Sequence, residues 1–462
     1  MKVLLIAYDN ASYIHWFPLG LAYLASAMRN AGHEVTIYNQ DVHHYPESHL
    51  IQYLKDNKFD AIGLGIIAGY YQYRKMIKIS DAINSVPNRP PYILGGHGPS
   101  PDPEFFMKKT GADVVCIGEG EVTIVELLEA FEKKRELSSV DGIAYMEDDK
   151  LVKTPTRTLI QDVDSIALPA WDLFPMEHYV LTRIPNIGSS DRCLPMLSGR
   201  GCIFRCNFCY RMDKGFRPRS AKSIIEEIKI LKEKYNVNCI DFSDELLMSS
   251  VARTRELCNA IIDAKLNIKW DCNGRLNFAT PEILALMKKA GCVYINYGIE
   301  CMDDEILKVM NKCLTVKQII TGIEATLAAN ISPGFNVIFG NIGEDKRTLQ
   351  QGVDFLLKYD DGSEFRTIRP VTPYPGSDLF YYAIEKGMMK DSEDFYENKH
   401  TNSDLLAINF TKLSDEEFYK AIFEANKTLI DNYFEKKHKA TIETARKLYF
   451  EQDASFRGFR QI

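Results

Sequence analysis

Three cysteines, Cys202, Cys206 and Cys209, stand four and three residues apart in Ser198-Gly-Arg-Gly-Cys-Ile-Phe-Arg-Cys-Asn-Phe-Cys-Tyr, directly after a strand-like run. One tight loop can turn all three sulfurs inward. Thiolates are soft ligands that select zinc, copper(I) or iron–sulfur clusters, and a structural zinc site asks for a fourth Cys or His close by. The loop offers none. Three ligands suit a cubane cluster with one iron left open to an external molecule. The other eight of the 11 cysteines stand alone among apolar neighbours and read as small buried hydrophobes, Cys193 and Cys313 included. An odd total confined to residues 116–313 is no disulfide framework.

The elements that must position this loop follow from periodicity. Across 191–390, strand-like runs (239–242, 293–299, 334–339) alternate with helical patterns (221–235, 280–290, 315–329), which predicts a partial (β/α) TIM-type barrel. Residues 1–131 alternate similarly, with strands at 3–7, 34–38, 61–66, 92–94 and 114–117, the pattern of a doubly wound, Rossmann-like α/β sheet. Ligands of such sheets sit outside the carboxyl ends of the strands, where Gly69, the Gly95-Gly96-His97-Gly98 turn and Gly118-Glu119-Gly120-Glu121 collect. Each loop alone also fits a tight strand-to-helix turn; three on one rim point to a ligand. Residues 132–190 carry Pro155, Pro169, Pro175 and Pro185 and predict a wrapped linker with a hairpin at 142–152, and 391–462 predict a helical cap.

The spacing Cys-x3-Cys-x2-Cys, with an aromatic residue before the last cysteine, resembles the signature of the radical S-adenosylmethionine superfamily. That resemblance implies a [4Fe-4S] cluster on Cys202, Cys206 and Cys209 whose open iron chelates S-adenosylmethionine, a 5′-deoxyadenosyl radical on its cleavage, and a reducing partner such as flavodoxin or ferredoxin. Phe242-Ser-Asp-Glu, Asn273-Gly-Arg275, Tyr297-Gly-Ile-Glu300 and Phe339-Gly-Asn-Ile-Gly-Glu344 are similar to the superfamily's later elements, the last departing at Asn341 and Ile342. The resemblance therefore implies S-adenosylmethionine contacts from Asp244, Glu245, Asn273, Arg275 and Glu300. Taken singly, Arg275 also fits a surface ion pair, Glu300 a helix cap, and Asp244 with Glu245 a solvated strand end.

The first domain adds Pro18-Leu-Gly-Leu-Ala-Tyr-Leu, Gly32-His-Glu-Val, Leu94-Gly-Gly-His and Gly118-Glu-Gly-Glu. With these the chain resembles the subgroup carrying an N-terminal cobalamin-binding domain, which includes class B methyltransferases and the anaerobic magnesium-protoporphyrin ester cyclase. The resemblance covers about residues 1–390 and implies cobalamin held by Asn10, Gly69, Tyr70, Gly95, Gly96, His97, Gly98, Ser100, Gly118, Glu119, Gly120 and Glu121. Tyr70 and Tyr71 fit packing aromatics equally well. The Asp-x-His-x-x-Gly loop of methionine-synthase-type domains is missing, since Asp9 precedes Asn-Ala-Ser; Asp41-Val-His43-His44-Tyr-Pro46 imitates it loosely, with both histidines read as exposed or hydrogen-bonded.

The function implied is methylation of an unactivated carbon or phosphorus centre of a small molecule. The alternative is oxidative cyclisation or rearrangement with cobalamin as electron carrier or absent. A redox or oxygen sensor is the non-enzymatic alternative, and no recognisable output domain accompanies it. Arg366, Arg369, Thr372, Pro373, Tyr374 and Pro375, near the last barrel strand, fit either an anion site or barrel closure. The 462 residues have 45% apolar and 26% charged composition and a net charge of -7, which gives no footprint for nucleic acid. No apolar run is long enough for a membrane span, so a cytoplasmic location is expected.

Overall fold

The computed structural model describes residues 1–11, 15–213, 215–453 and 455; Ser12 of the first loop and the last residues of the expected cap lie outside them. The first region runs β1 (Lys2–Ala7), α1 (Leu19–Asn30), β2 (Glu34–Asn39), α2 (Gln40–His43), α3 (Glu47–Asp56), β3 (Ala61–Gly65), α4 (Tyr70–Asn84), β4 (Tyr92–Gly95), α5 (Pro103–Thr110), β5 (Val114–Cys116) and α6 (Gly120–Lys133). Strands β1 and β3–β5 are almost wholly buried, as their continuous apolar runs require of parallel strands covered on both faces. The order β2-β1-β3-β4-β5 places the switch point between β1 and β3.

The expected hairpin forms as β6 (Ile143–Glu147) and β7 (Lys150–Lys153), but it is no free connection. β6 pairs antiparallel with β5 and extends the sheet to seven strands. The proline-rich stretch and its short helix α7 (Met176–Tyr179) also pack on this sheet's layer: Trp171 stacks on Phe17 at 4.5 Å, and Ser26 Oγ donates to the Leu168 carbonyl at 2.5 Å.

The second region contains β8 (Cys193–Met196), β9 (Gly199–Arg200), β10 (Arg217–Pro218), α8 (Ala221–Tyr235), β11 (Cys239–Phe242), α9 (Val251–Asp263), β12 (Lys269–Gly274), α10 (Pro281–Lys289) and β13 (Cys292–Glu300). It continues with α11 (Asp304–Val309), α12 (Val316–Ala328), β14 (Ser332–Phe339), α13 (Lys346–Tyr359) and β15 (Arg369–Pro370). Six parallel strands in the order β15-β14-β13-β12-β11-β8 make an open half-barrel. Side-chain caps at Ser220, Thr315 and Asp345 start the outer helices where backbone N–H groups lack partners. The unforeseen β9–β10 ribbon brackets the cysteine loop.

Helices α14 (Asp378–Glu385), α15 (Ser392–Asp394) and α16 (Asp415–Phe450) follow. Phe418 of α16 stacks on Phe339 at 4.9 Å, closing the half-barrel's end. The segment before it braces the first domain: Tyr396 stacks on Tyr73 at 4.6 Å and Glu397 pairs with Arg74 at 2.9 Å. Among the described residues no helix is long and apolar enough to cross a membrane.

Candidate functional site

The cysteine loop leaves the carboxyl end of β8, the rim where barrel active sites collect. Cys206 is buried, Cys202 half-buried and Cys209 exposed. A hydrogen bond from Cys209, together with the nearby cations of Lys312 and Arg275, lowers the Cys206 thiol and favours its thiolate. Burial pushes Cys202 up. A loop that gathers three thiols and two cations fits an anionic cluster with thiolate ligands.

Arg275 follows β12 and is buried, not a surface ion pair. Its guanidinium lies 3.3 Å from the Phe204 ring centroid, within the cysteine loop, and its Nε and Nη2 have no hydrogen-bond partner. A buried cation with two orphan donors fits an absent carboxylate or cluster ligand. Glu300 ends β13 just past a register shift and takes φ 67°, a left-handed conformation costing roughly 1–2 kcal/mol in a non-glycine residue. It caps no helix; its Oε1 meets Lys312 Nζ at 2.7 Å, both buried.

Asp244 is not solvated. Its Oδ1 accepts from the backbone N–H groups of Ser198 and Gly199 at 2.7 and 2.8 Å, fixing the take-off of the cysteine loop, while Oδ2 is buried without a partner. Burial lifts its carboxyl to about 6. Glu245 beside it is exposed, and Asn273 Nδ2 donates to the Asp244 carbonyl at 2.8 Å. The departure at Asn341 has a structural reason. Its amide pairs reciprocally with Asn207 of the cysteine loop, at 3.0 and 3.2 Å, while Glu344 accepts from the Gly340 and Asn341 amides at 2.8 and 2.9 Å.

The glycine loops of the first domain face this rim. Gly96 takes φ 98° and comes so close to Ile66 that a Cβ would lie 2.4 Å from its carbonyl oxygen. Ser100 Oγ donates to the Gly96 carbonyl at 2.7 Å and lies 3.6 Å from Met212 Sδ across the domain boundary; the His97 ring stands edge-on to Tyr210, centroids 6.2 Å apart. Gly95 ends β4, Gly98 lies against the Ile66 side chain, and Gly69 immediately precedes α4. A Cβ on Gly118, at φ 82°, would meet nothing within 4 Å. Ile67, on the loop after β3, and Tyr71, in the first turn of α4, are 63% and 42% exposed, an apolar surface that fits a flat macrocycle. Tyr70 turns away, edge-on to His400 at 6.2 Å. Asn10 donates its backbone N–H to Asp41 Oδ1 at 3.1 Å. His44 is half-exposed with Nδ1 3.0 Å from Asp9, and His43 stacks on Tyr45 at 5.0 Å.

Several of these side chains are engaged within the protein, and the buried reading of Cys313 needs correction. Glu119 and Glu121, expected to cradle a nucleotide tail, are buried in ion pairs across the domain boundary: Arg200 meets Glu119 at 2.9 Å and Glu121 at 2.5 Å, and Arg217 meets Glu119 at 2.9 Å. Gly120, between them, starts α6, with Leu24 where a Cβ would go. Cys313 is exposed, in a left-handed conformation at φ 53°; the other seven lone cysteines are buried. Arg366 offers no charge to an anion, because Asp360 at 3.0 Å, Glu364 at 3.2 Å and the Pro333 carbonyl at 2.9 Å occupy it; it closes the barrel, and Arg369 pairs with Asp404 at 3.2 Å.

Sequence reasoning missed Lys312, Asn207 and the Arg200–Arg217 clamp. The one available signal was the two cations flanking the cysteine motif against the two glutamates of Gly118-Glu-Gly-Glu.

Comparisons with known proteins agree with this geometry. The B12 binding domain profile matches residues 9–128 and the Radical SAM superfamily profile residues 196–356. The chain is 32% identical over 403 residues to an uncharacterized methyltransferase of Pyrococcus horikoshii, covering 84% of each chain. It is 26% identical to the anaerobic magnesium-protoporphyrin IX monomethyl ester cyclase of Rubrivivax gelatinosus, over 82% of this chain and 69% of that one. Its fold matches the radical S-adenosylmethionine methyltransferase TsrM of Kitasatospora setae, solved with cobalamin and a [4Fe-4S] cluster, with TM-score 0.72 and 17% identity over 93% of this chain and 88% of that one. It also matches the cobalamin-dependent radical enzyme OxsB, with TM-score 0.67 and 21% identity over 83% of this chain and 55% of that one. The chain belongs to the radical S-adenosylmethionine superfamily, in the branch that carries a B12 binding domain ahead of the radical domain.

Proposed function

We propose that the protein is a cobalamin-dependent radical S-adenosylmethionine methyltransferase acting on an unactivated carbon or phosphorus centre of a small molecule. The observation that carries this reading is the clamp of Arg200 and Arg217 on Glu119 and Glu121, which fastens the cysteine loop of one domain to the glycine rim of the other. Bound on these rims, the cluster with S-adenosylmethionine supplies a 5′-deoxyadenosyl radical and cobalamin supplies a methyl carrier.

The chain's own part is placement and charge. Cys202, Cys206 and Cys209 are the proposed iron ligands, and Arg275 with Lys312 stabilises their thiolates. Arg275, with its two free donors, is the proposed partner of the S-adenosylmethionine carboxylate. Glu300, held by Lys312 in a strained conformation, is the proposed contact of the ribose region. Asp244 acts through backbone amides to fix the loop. Buried ion pairs join the two rims, which would fix the spacing between the two cofactors once bound. A flavodoxin- or ferredoxin-type donor delivers the electron.

The test is product mass with methyl-labelled S-adenosylmethionine and the anaerobically reconstituted enzyme. A product gaining one labelled methylene supports transfer. A product that loses hydrogen or gains oxygen without label overturns it in favour of the cyclisation named for the Rubrivivax gelatinosus relative.

A further inference from the structure

The lumen of the half-barrel contains a second polar centre below the cofactor rim. Its floor is a small separate apolar cluster of Ile184, Cys193 and Cys239, with Val293 packed against it. One layer up, strand register sets Asp241 beside Asp271, Asp271 beside Tyr294, and Tyr294 beside Ser332. Trp270, next to Asp271 in β12, donates its indole N–H to the Ala290 carbonyl after helix α10, so strand alternation turns Asp271 inward. Above lies a ladder of amides: Asn296 Nδ2 donates to Asn273 Oδ1 at 2.9 Å, and Asn336 Nδ2 to Asn296 Oδ1 at 3.2 Å. Gly334 lets the Tyr294 and Asn296 side chains pack into this layer, since a Cβ would lie 2.2 Å from Tyr294 Oη.

Two features of this lumen ask for a ligand. Asp271 is only 8% exposed, and its Oδ1 is buried with no hydrogen-bond partner. The lumen also has no free cation among the described residues to match its acids: Arg366 is consumed by Asp360 and Glu364, and Arg275 and Lys312 belong to the cysteine loop. Burial and the neighbouring Asp241 lift the Asp271 carboxyl to about 9, and burial raises Asp241 as well. Ser243, exposed at the mouth, donates to Asp241 Oδ2 at 3.0 Å. Acceptors, an orphan carboxylate oxygen and two acids without a free cation disfavour a phosphate or carboxylate and suit a group rich in N–H donors.

We propose that this lumen binds the amine head of the methyl acceptor, with Asp241 and Asp271 as its counter-ions and the Asn273, Asn296 and Asn336 amides orienting the carbon skeleton toward the rim. This names the substrate class for the site under the methyl-transfer reading and rests on that reading.

The test uses the anaerobic holoenzyme and matched probes: butylamine, butanol and butyrate, then benzylamine, benzyl alcohol and benzoate, each titrated by calorimetry. The expected result is amines binding at least about tenfold tighter than the carboxylates, with Asp271→Asn and Asp241→Asn each erasing that preference. Iron and cobalt contents and a melting temperature equal to the parent's show that each variant is folded and loaded. Carboxylates binding as well as amines, no amine binding, or an amine preference untouched by both variants would overturn the amine site. An amine preference without label transfer from S-adenosylmethionine would leave the amine site standing and remove the methyl-transfer reading.

Discussion

The two rims that face each other are built from different materials. The half-barrel rim is made of charged side chains: Arg275 stacked on Phe204, Lys312 paired with Glu300, Asp244 gripping two backbone amides. The first domain's rim is made of backbone and shape: Gly96 against Ile66, Gly118 beside open space, and exposed Ile67 and Tyr71. A small anionic cluster needs point charges at short range, whereas a large, mostly apolar macrocycle needs room and a flat surface. Loss of one charge should therefore disable the first rim outright, and the second should fail by degrees.

The largest effect is expected at Cys206→Ser. Iron should fall from about four per chain to below one and S-adenosylmethionine cleavage should vanish, while corrin retention stays unchanged. Iron and cobalt counts on the same preparation check both halves. Next, Arg275→Ala should keep its iron and lose about a hundredfold in 5′-deoxyadenosine release. Arg275→Lys should not restore it, because an ammonium cannot lie flat on Phe204 while offering two parallel donors. Recovery with lysine would reduce Arg275 to a simple charge.

On the opposite rim, Gly96→Val forces a Cβ against the Ile66 carbonyl. Corrin affinity should drop about tenfold with iron intact, measured by retention of the visible corrin bands on desalting. Arg200→Ala sits between the rims. Both cofactors should remain, but methyl transfer per 5′-deoxyadenosine released should fall about tenfold, since the clamp sets spacing and not chemistry. Unchanged coupling would mean that other contacts hold the domains.

What was legible in the sequence divides along the same line. The cysteine loop, Arg275 and Glu300 were readable because their partners lie at fixed short spacings or at the ends of successive strands. The role of Asp244 was not, since a motif names the residue and not the amides it grips. The clamp joins Arg200 to Glu119 across 81 positions, and Asn207 meets Asn341 across 134; such pairs carry no local pattern. Both halves of the fold were readable from the alternation of apolar runs. The attachment of β6 to β5 was not, because an edge strand can pair with either neighbour. Cys313 was misread because apolar neighbours in sequence say nothing about a left-handed turn at the surface.

The smallest expected effect is a pH response of the C-terminal brace. His400 is buried between Phe395 and Tyr374, neither ring nitrogen has a partner, and burial lowers it to about 4. The unfolded chain takes up this proton near pH 6.5 and the folded one does not. Stability should therefore fall as pH drops from about 6.5 toward 4, by at most about 1.4 kcal/mol per unit. Melting curves at pH 7.5 and pH 5 should show it, and His400→Phe should flatten the difference.

The most direct measurement of the central claim is metal content after anaerobic reconstitution with iron, sulfide and hydroxocobalamin. The account predicts about four irons and one cobalt per chain, with corrin bands that survive desalting. Full iron with no retained cobalt would contradict it, leaving a radical enzyme whose first domain has another duty.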